Sequence, residues 1–455
     1  MNNTTLIYSE RAFIDGKLQP ATISYNDGKI TAINFYKLAD ATDFGNAIIM
    51  PGIIDAHVHI NEPGRTEWEG FETATQAAAA GGITSIIDMP LNASPVTTTA
   101  AAFAKKLQAA ENKLHVNVGF YGGLIPGNTS DLDELINAGV LGIKCFLTHS
   151  GIDEFPNVGR SELETAMPII ARHGIPILAH CEIYKEEVES NFADNPTSYQ
   201  HYLASRPKQW ENDAVQLMIE LCRKYNCPTH IVHVSSAEAL SQVAAARNEG
   251  LLITAETCPH YIFFNAEEIP DGQTIFKCAP PIREKQNNEI LKAAFVNGTL
   301  DFIATDHSPA PPAIKEMGSG NLQKAWGGIA GLQFLLPVAY TALKKTINLE
   351  QFIPLLTEHP AQFLKLNNRK GYLKAGYDAD IVIWQPGEKF TVRAEDILHR
   401  HKISPYIGEE LDGVVEETIV NGTIVFRKGS IVDKTKTHGH KLLAQGDSHL
   451  KSMLT

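Results

Sequence analysis

The sequence predicts an α/β protein: a (β/α)₈, TIM-like barrel with a small β-sandwich domain built from both termini. Three observations carry this. The middle of the chain alternates eight apolar strand-like runs with helical stretches. The two ends share another texture, short β-like runs broken by Asp-Gly and Asn-Gly turns. Most residues capable of chemistry fall where the middle strands end, and those ends form the active face of such a barrel.

In the first fifty residues the β runs are Thr5–Tyr8, Ala21–Tyr25 and Ile30–Phe35, punctuated by Asp15-Gly16 and Asn26-Asp27-Gly28. The barrel strands are read at 48–60, 84–90, 115–124, 142–148, 176–182, 229–236, 252–260 and 301–308. Helical stretches lie between them at Glu69–Ala80, Thr99–Leu114, Ser161–His173, Asn212–Tyr225, Ala237–Asn248 and Lys285–Phe295, and Gly328–Lys344 follows the last strand. The β texture returns in Ala379–Trp384, Glu417–Val420 and Thr423–Phe426, with turns at Asn421-Gly422 and Lys428-Gly429. The expected division is 1–50 with 366–435 as a composite β domain, 51–365 as the barrel, and 436–455 as a polar tail. That tail is expected to wrap the surface or a partner, with His438 and His440 solvated. A doubly wound sheet is the alternative, but no Gly-x-Gly-x-x-Gly turn follows the first strand.

The totals exclude some functions. A net charge of -13 offers no basic footprint for nucleic acid. The six cysteines form no CxxC pair, which fits a reducing, cytoplasmic setting and buried thiols. The N-terminus has no basic n-region or apolar h-region, and Gly327–Leu343 is interrupted by Gln333 and Pro337, so neither a secretory signal nor a membrane span is expected.

Chemistry enters with Ile53-Ile-Asp-Ala-His57-Val-His59-Ile. In a strand, side chains alternate, so His57 and His59 share a face, with Asp55 expected beside them. Two imidazoles on a buried wall point to a metal ion; a hydrogen-bonded core pair is the alternative. Later strand ends add Lys144, His180, His233 and Asp306. His230 competes with His233, and odd spacing places the two on opposite faces. Cys145, Cys181 and His307 are expected to point away from the site. Lys144 lies in an apolar strand, where an ammonium beside cations is costly. Reaction with CO₂ would make it a carbamate, an N6-carboxylysine whose two oxygens can bridge two metals; a lysine paired with a carboxylate is the alternative. Four histidines and a bridging anion suit two divalent ions, zinc first, with cobalt, iron, nickel or manganese possible. Such ions share a hydroxide and lower its pKa, while Asp306 moves its proton to a leaving nitrogen. The implied reaction is metal-assisted hydrolysis of an amide-like bond.

These residues resemble the amidohydrolase superfamily, in its branch of hydantoinases, dihydroorotases and allantoinases, over nearly the whole chain. Longer segments are most similar to the allantoinase family: His57–Gly70, Asp88–Asn92, Lys144–Gly151, Lys324–Gln333 and His399–Tyr406. The resemblance implies ring opening of allantoin to allantoate in purine and ureide degradation, a carbamylated Lys144 and a homotetramer. Dihydroorotase or dihydropyrimidinase/hydantoinase activity is the alternative. Dihydroorotases place a carboxylate-clamping arginine where this chain has Asn61, which favours a neutral ureide; Arg65, four residues on, is the possible substitute. Hydantoinases carry a tyrosine five residues past the lysine, where this chain has His149. Oxyanion stabilisation is then open between His149, Ser150 and a metal. Substrate contacts are expected from Asn61, Asn92, His149, Ala279, Ser308, Trp326 and Gly327.

Overall fold

The computed structural model describes residues 4–185 and 192–444. Eight parallel strands form the barrel: β1 (Ile53–Val58), β2 (Ile83–Asp88), β3 (Asn117–Phe120), β4 (Ile143–Phe146), β5 (Ile177–His180), β6 (Thr229–Ile231), β7 (Ile253–Thr257) and β8 (Phe302–Ile303). Parallel ladders join β1 to β2 to β3, and β4 through β8. Leu141 N donates to Phe120 O at 2.8 Å between β3 and β4, and a Val58–His307 bridge closes β8 onto β1.

Two buried layers follow from strand alternation. Ile53, Val58 and Ile83 pack with Phe71, Ala74 and Ala78 of the helix Phe71–Ala80. Ile54, Ala56, Ile87, Leu178, Val232 and Phe302 meet one another inside the barrel. Interior and shell are both apolar, so the strands read as continuous hydrophobic runs.

The expected first strand, 48–60, is two elements. Ile48–Pro51 pairs antiparallel with Ile381–Trp384 in a separate sheet, and only Ile53–Val58 enters the barrel. Gly52 makes the break: a Cβ there would lie 2.1 Å from Thr84 Oγ1, so the chain passes only as glycine. The second sheet is one nine-stranded ladder assembled from both ends of the chain. Ile7 and Ile23 of its first half share a core with Ile381 and Ile419 of its second. The helix expected at Gly328–Lys344 begins only at Leu335, and the residues before it form a loop at the barrel mouth.

The tail departs most from expectation. Lys441–Leu442 pairs in parallel with β3, and Leu442 is buried among the interior side chains. Gly439 N donates to Leu114 O at 2.9 Å, and a Cβ on Gly439 would lie 1.9 Å from Val116 O. His438 and His440 are tied down by backbone contacts: Asn421 Nδ2 donates to His438 O and His440 N donates to Asn117 Oδ1. A polar segment is held here because it satisfies strand-edge groups that would otherwise be unpaired. Residues 445–455 lie outside the described residues. Among the described residues, no helix is long and apolar enough to cross a membrane.

Candidate metal centre

The strand ends converge as expected. Asp306 Oδ1 lies 3.1 Å from His57 Nε2 and 3.2 Å from His59 Nε2. Candidate ligand atoms of these three residues all fall within 4.8 Å of one another. The His233 ring is 4.7 Å from that of His180 and 5.5 Å from that of His57, centre to centre. Lys144 Nζ sits 4.8 Å from the centre of the Phe146 ring, which stacks on His180 at 4.4 Å. All six line one cavity of about 370 Å³ at the barrel mouth.

Backbone departures put the side chains there. The β1–β2 register slips between Asp55 and Val58, a bulge that breaks strict alternation. Ile54 and Ala56 face the interior, and His57 and His59 then turn to the cavity. Asp55 is therefore not a partner of the two histidines on the site wall. Its carboxylate accepts from His57 N at 3.2 Å and from Thr305 N at 3.1 Å, splicing β1 to β8. His233 and Asp306 have φ of 41° and 46°, left-handed values that non-glycine residues seldom adopt. Such strain concentrates at functional sites. The turn at His233 also corrects the alternation argument for His230. That residue faces the interior too, its Nε2 3.3 Å from Glu256 Oε2 and its ring stacked on Phe302. Cys145 and Cys181 pack in the shell, as expected. His307 turns from the cavity and accepts from Gly331 N and Leu332 N.

Three of the histidines have orienting partners. His57 Nδ1 meets Glu256 Oε1 at 2.6 Å, and His180 Nε2 meets Glu182 Oε2 at 2.8 Å. With each carboxylate accepting an N–H from the ring nitrogen it meets, the opposite nitrogen is the one that would be presented to a metal. Asn92 lies 3.4 Å from His59 Nδ1 through its amide. With the amide turned so that its oxygen accepts from Nδ1, His59 Nε2 is free as well. Glu182 follows His180 by two residues, and Glu256 is an acid within an apolar strand; both signals were present in the sequence. Arg206, also on the cavity wall, had none.

Burial dominates the electrostatics. It pulls His57 down, but Asp306 and Glu256 outweigh it and hold the imidazole up near about 9. Burial would raise Asp306, yet His57 and His59 keep it well below the usual carboxylate range. Burial pushes Lys144 down to about 8. Its amine is fully buried and has no hydrogen-bond partner among the described residues, and the same holds for His233 Nδ1. Unsatisfied buried nitrogens beside a His-His-Asp cluster fit a bound cation with its anionic bridge.

Of the expected substrate contacts, Asn92, His149, Ala279, Ser308, Trp326 and Gly327 line the cavity. Asn61 is not among the lining residues; it is buried at φ 67° with Nδ2 donating to Pro309 O at 3.3 Å. Arg65 is not there either, being paired with Glu154 at 2.7 Å. His149 is an exposed rim residue near Asp153, and Ser150 Oγ is occupied by the carbonyls of Ile152 and Phe155.

Residues 48–425 match the Amidohydrolase family. The chain belongs to that family. This amidohydrolase is 42% identical over 443 residues to a probable allantoinase of Oryza sativa, covering 92% of this chain and 87% of the relative. An allantoinase of Streptomyces avermitilis is 40% identical, covering 94% of this chain and 96% of the relative. Among solved structures, the L-hydantoinase (dihydropyrimidinase) of Arthrobacter aurescens superposes with a TM-score of 0.90 at 30% identity, covering 97% of this chain and 100% of that one. The family and the fold therefore agree with the barrel and its terminal sheet.

Proposed function

We propose that this amidohydrolase is an allantoinase, hydrolysing the hydantoin ring of allantoin to allantoate in ureide degradation. The observation that carries the reading is the convergence of His57, His59, Lys144, His180, His233 and Asp306 on one cavity. Those six would hold two divalent ions, zinc by donor preference, with cobalt, iron, nickel or manganese as alternatives. Bound there, the ions supply a water of lowered pKa and polarise the ring carbonyl. Asp306, poised between His57 and His59, accepts the proton of the attacking water and returns it to the departing ring nitrogen. Lys144, held near about 8 by burial, keeps a fraction of neutral amine whose nitrogen would bond to the carbon of CO₂ and release one N–H proton to solvent. The carbamate exchanges an uncompensated cation for an anion that the site can use. Asn92, Ala279, Ser308, Trp326 and Gly327 frame the substrate, while Asn61 acts behind the wall. A cytoplasmic location fits six buried, unpaired cysteines, and a homotetramer belongs to the same proposal.

A panel assay with metal and bicarbonate supplied, comparing kcat/KM for allantoin, dihydroorotate, dihydrouracil and hydantoin, tests the reading. Allantoin is expected to lead. The hydantoinase-like fold keeps the alternative specific: hydantoin, dihydrouracil or dihydroorotate leading instead would refute the assignment.

A further inference from the structure

Arg206 precedes the helix Lys208–Tyr225 and lines the cavity. Its Nε donates to Glu182 Oε1 at 3.0 Å and its Nη2 donates to Glu182 Oε2, a two-point grip on one carboxylate. Glu182 Oε2 also accepts from His180 Nε2 at 2.8 Å. The carboxylate is 1% exposed and the arginine side chain 24% exposed. The positive charge is thus compensated inside the wall. Nη1 makes no hydrogen bond among the described residues, which leaves free N–H donors on a cavity-lining group. Lys277, another cation of the wall, is engaged by the carbonyls of Ala325 and Gln323.

A guanidinium already clasped by a buried carboxylate has no spare charge for an anionic ring. It remains a strong donor to a neutral carbonyl, and a urea oxygen is a good acceptor that loses no ionic hydration on entry. We propose that Arg206 is a specificity-determining residue that binds the urea carbonyl of the substrate's side arm. Glu182 holds it for that contact while also orienting His180. The inference rests on the ring-opening reading above and assigns to Arg206 the selectivity that the sequence places at Asn61.

The experiment compares wild type with Arg206→Met and Arg206→Lys, all metal-loaded. It measures kcat and KM for allantoin, the competitive Ki of hydantoin (which lacks the urea arm), and bound metal per chain. Wild-type turnover of allantoin is read first, because its absence removes the ring-opening reading and this inference with it. With turnover present, Arg206→Met is expected to lower kcat/KM for allantoin roughly ten- to hundredfold, the range for a charge-assisted hydrogen bond. Arg206→Lys, which keeps a cation against Glu182, is expected to lower kcat/KM for allantoin while hydantoin Ki and metal content stay within about threefold of wild type. Parallel losses for both ligands in Arg206→Lys, or loss of metal there, would confine Arg206 to holding His180 and overturn the proposal. A wild-type comparison needs no folded variant: a hydantoin with an alkyl arm of equal length is expected to bind at least about tenfold more weakly than allantoin. Equal binding overturns the proposal.

Discussion

Replacing Lys144 by methionine should make the metal-free, carbamate-free protein more stable at neutral pH. The amine is fully buried, has no hydrogen-bond partner among the described residues, and lies 4.8 Å from the centre of the Phe146 ring. Burial takes its pKa from 10.5 to about 8. At 1.36 kcal/mol per pH unit this is a penalty of ~3 kcal/mol on the charged form. The group is a base whose folded pKa is depressed. Its destabilisation is therefore fully present below about 8 and fades as pH rises toward 10.5, where the unfolded chain also loses the proton. Methionine fills a similar volume without charge, so the penalty disappears. Chemical denaturation in chelator and without bicarbonate, at neutral pH and again near pH 10, reads the effect. A gain of ~2–3 kcal/mol at pH 7 that shrinks at the higher pH is expected. A variant less stable at pH 7, or a gain independent of pH, would refute the account of Lys144 as an uncompensated buried amine. With metal and bicarbonate supplied the order should reverse, because the lysine then contributes an anionic ligand that methionine lacks.

Glu256→Gln should weaken metal binding roughly ten- to hundredfold, as loss of a carboxylate orienting a ligand histidine does; competition against a chromophoric chelator checks it, and unchanged affinity would deny Glu256 its hold on His57. Gly439→Ala should cost about 1–3 kcal/mol, because its methyl would meet Val116 O at 1.9 Å and lever the tail off β3; urea denaturation and protease cleavage near residue 440 measure this. Burial would raise Asp378, but Lys370, Lys29 and Arg369 hold it down to about 2, so its stabilising contribution exists above the unfolded value near 3.8 and is lost as pH falls toward about 2. Asp378→Asn should then cost about 1–2 kcal/mol at neutral pH, allowing for partial solvent screening. The variant should also lose less stability than wild type between pH 4 and 2 in acid titrations followed by circular dichroism.

Barrel, terminal sheet and metal-ligand candidates were all legible in the chain. Strand ends in a (β/α)₈ fold must converge, so knowing that His57, Lys144, His180, His233 and Asp306 end strands was enough to gather them. Period-two reasoning worked within regular strands and failed where the backbone left them. The bulge after Asp55 and the left-handed turns at His233 and Asp306 change which side chains face inward, and neither is written in an apolar/polar pattern. The tail was misread because hydropathy reports side chains, whereas residues 437–444 are held mainly by backbone pairing to an open edge of β3. Glu182 orients a neighbour only two residues away, whereas Glu256 meets His57 across 199 residues and Arg206 meets Glu182 across 24. The sequence by itself determined the family and the candidate donor residues, because those depend on residue identity and on strand order. Tertiary structure alone decided which ring nitrogens of His57 and His180 meet a carboxylate, which cation is already compensated, and that Asn61 stands behind the wall rather than in it. Hydrogen bonds and burial are properties of neighbours in space, and no local stretch of chain contains them.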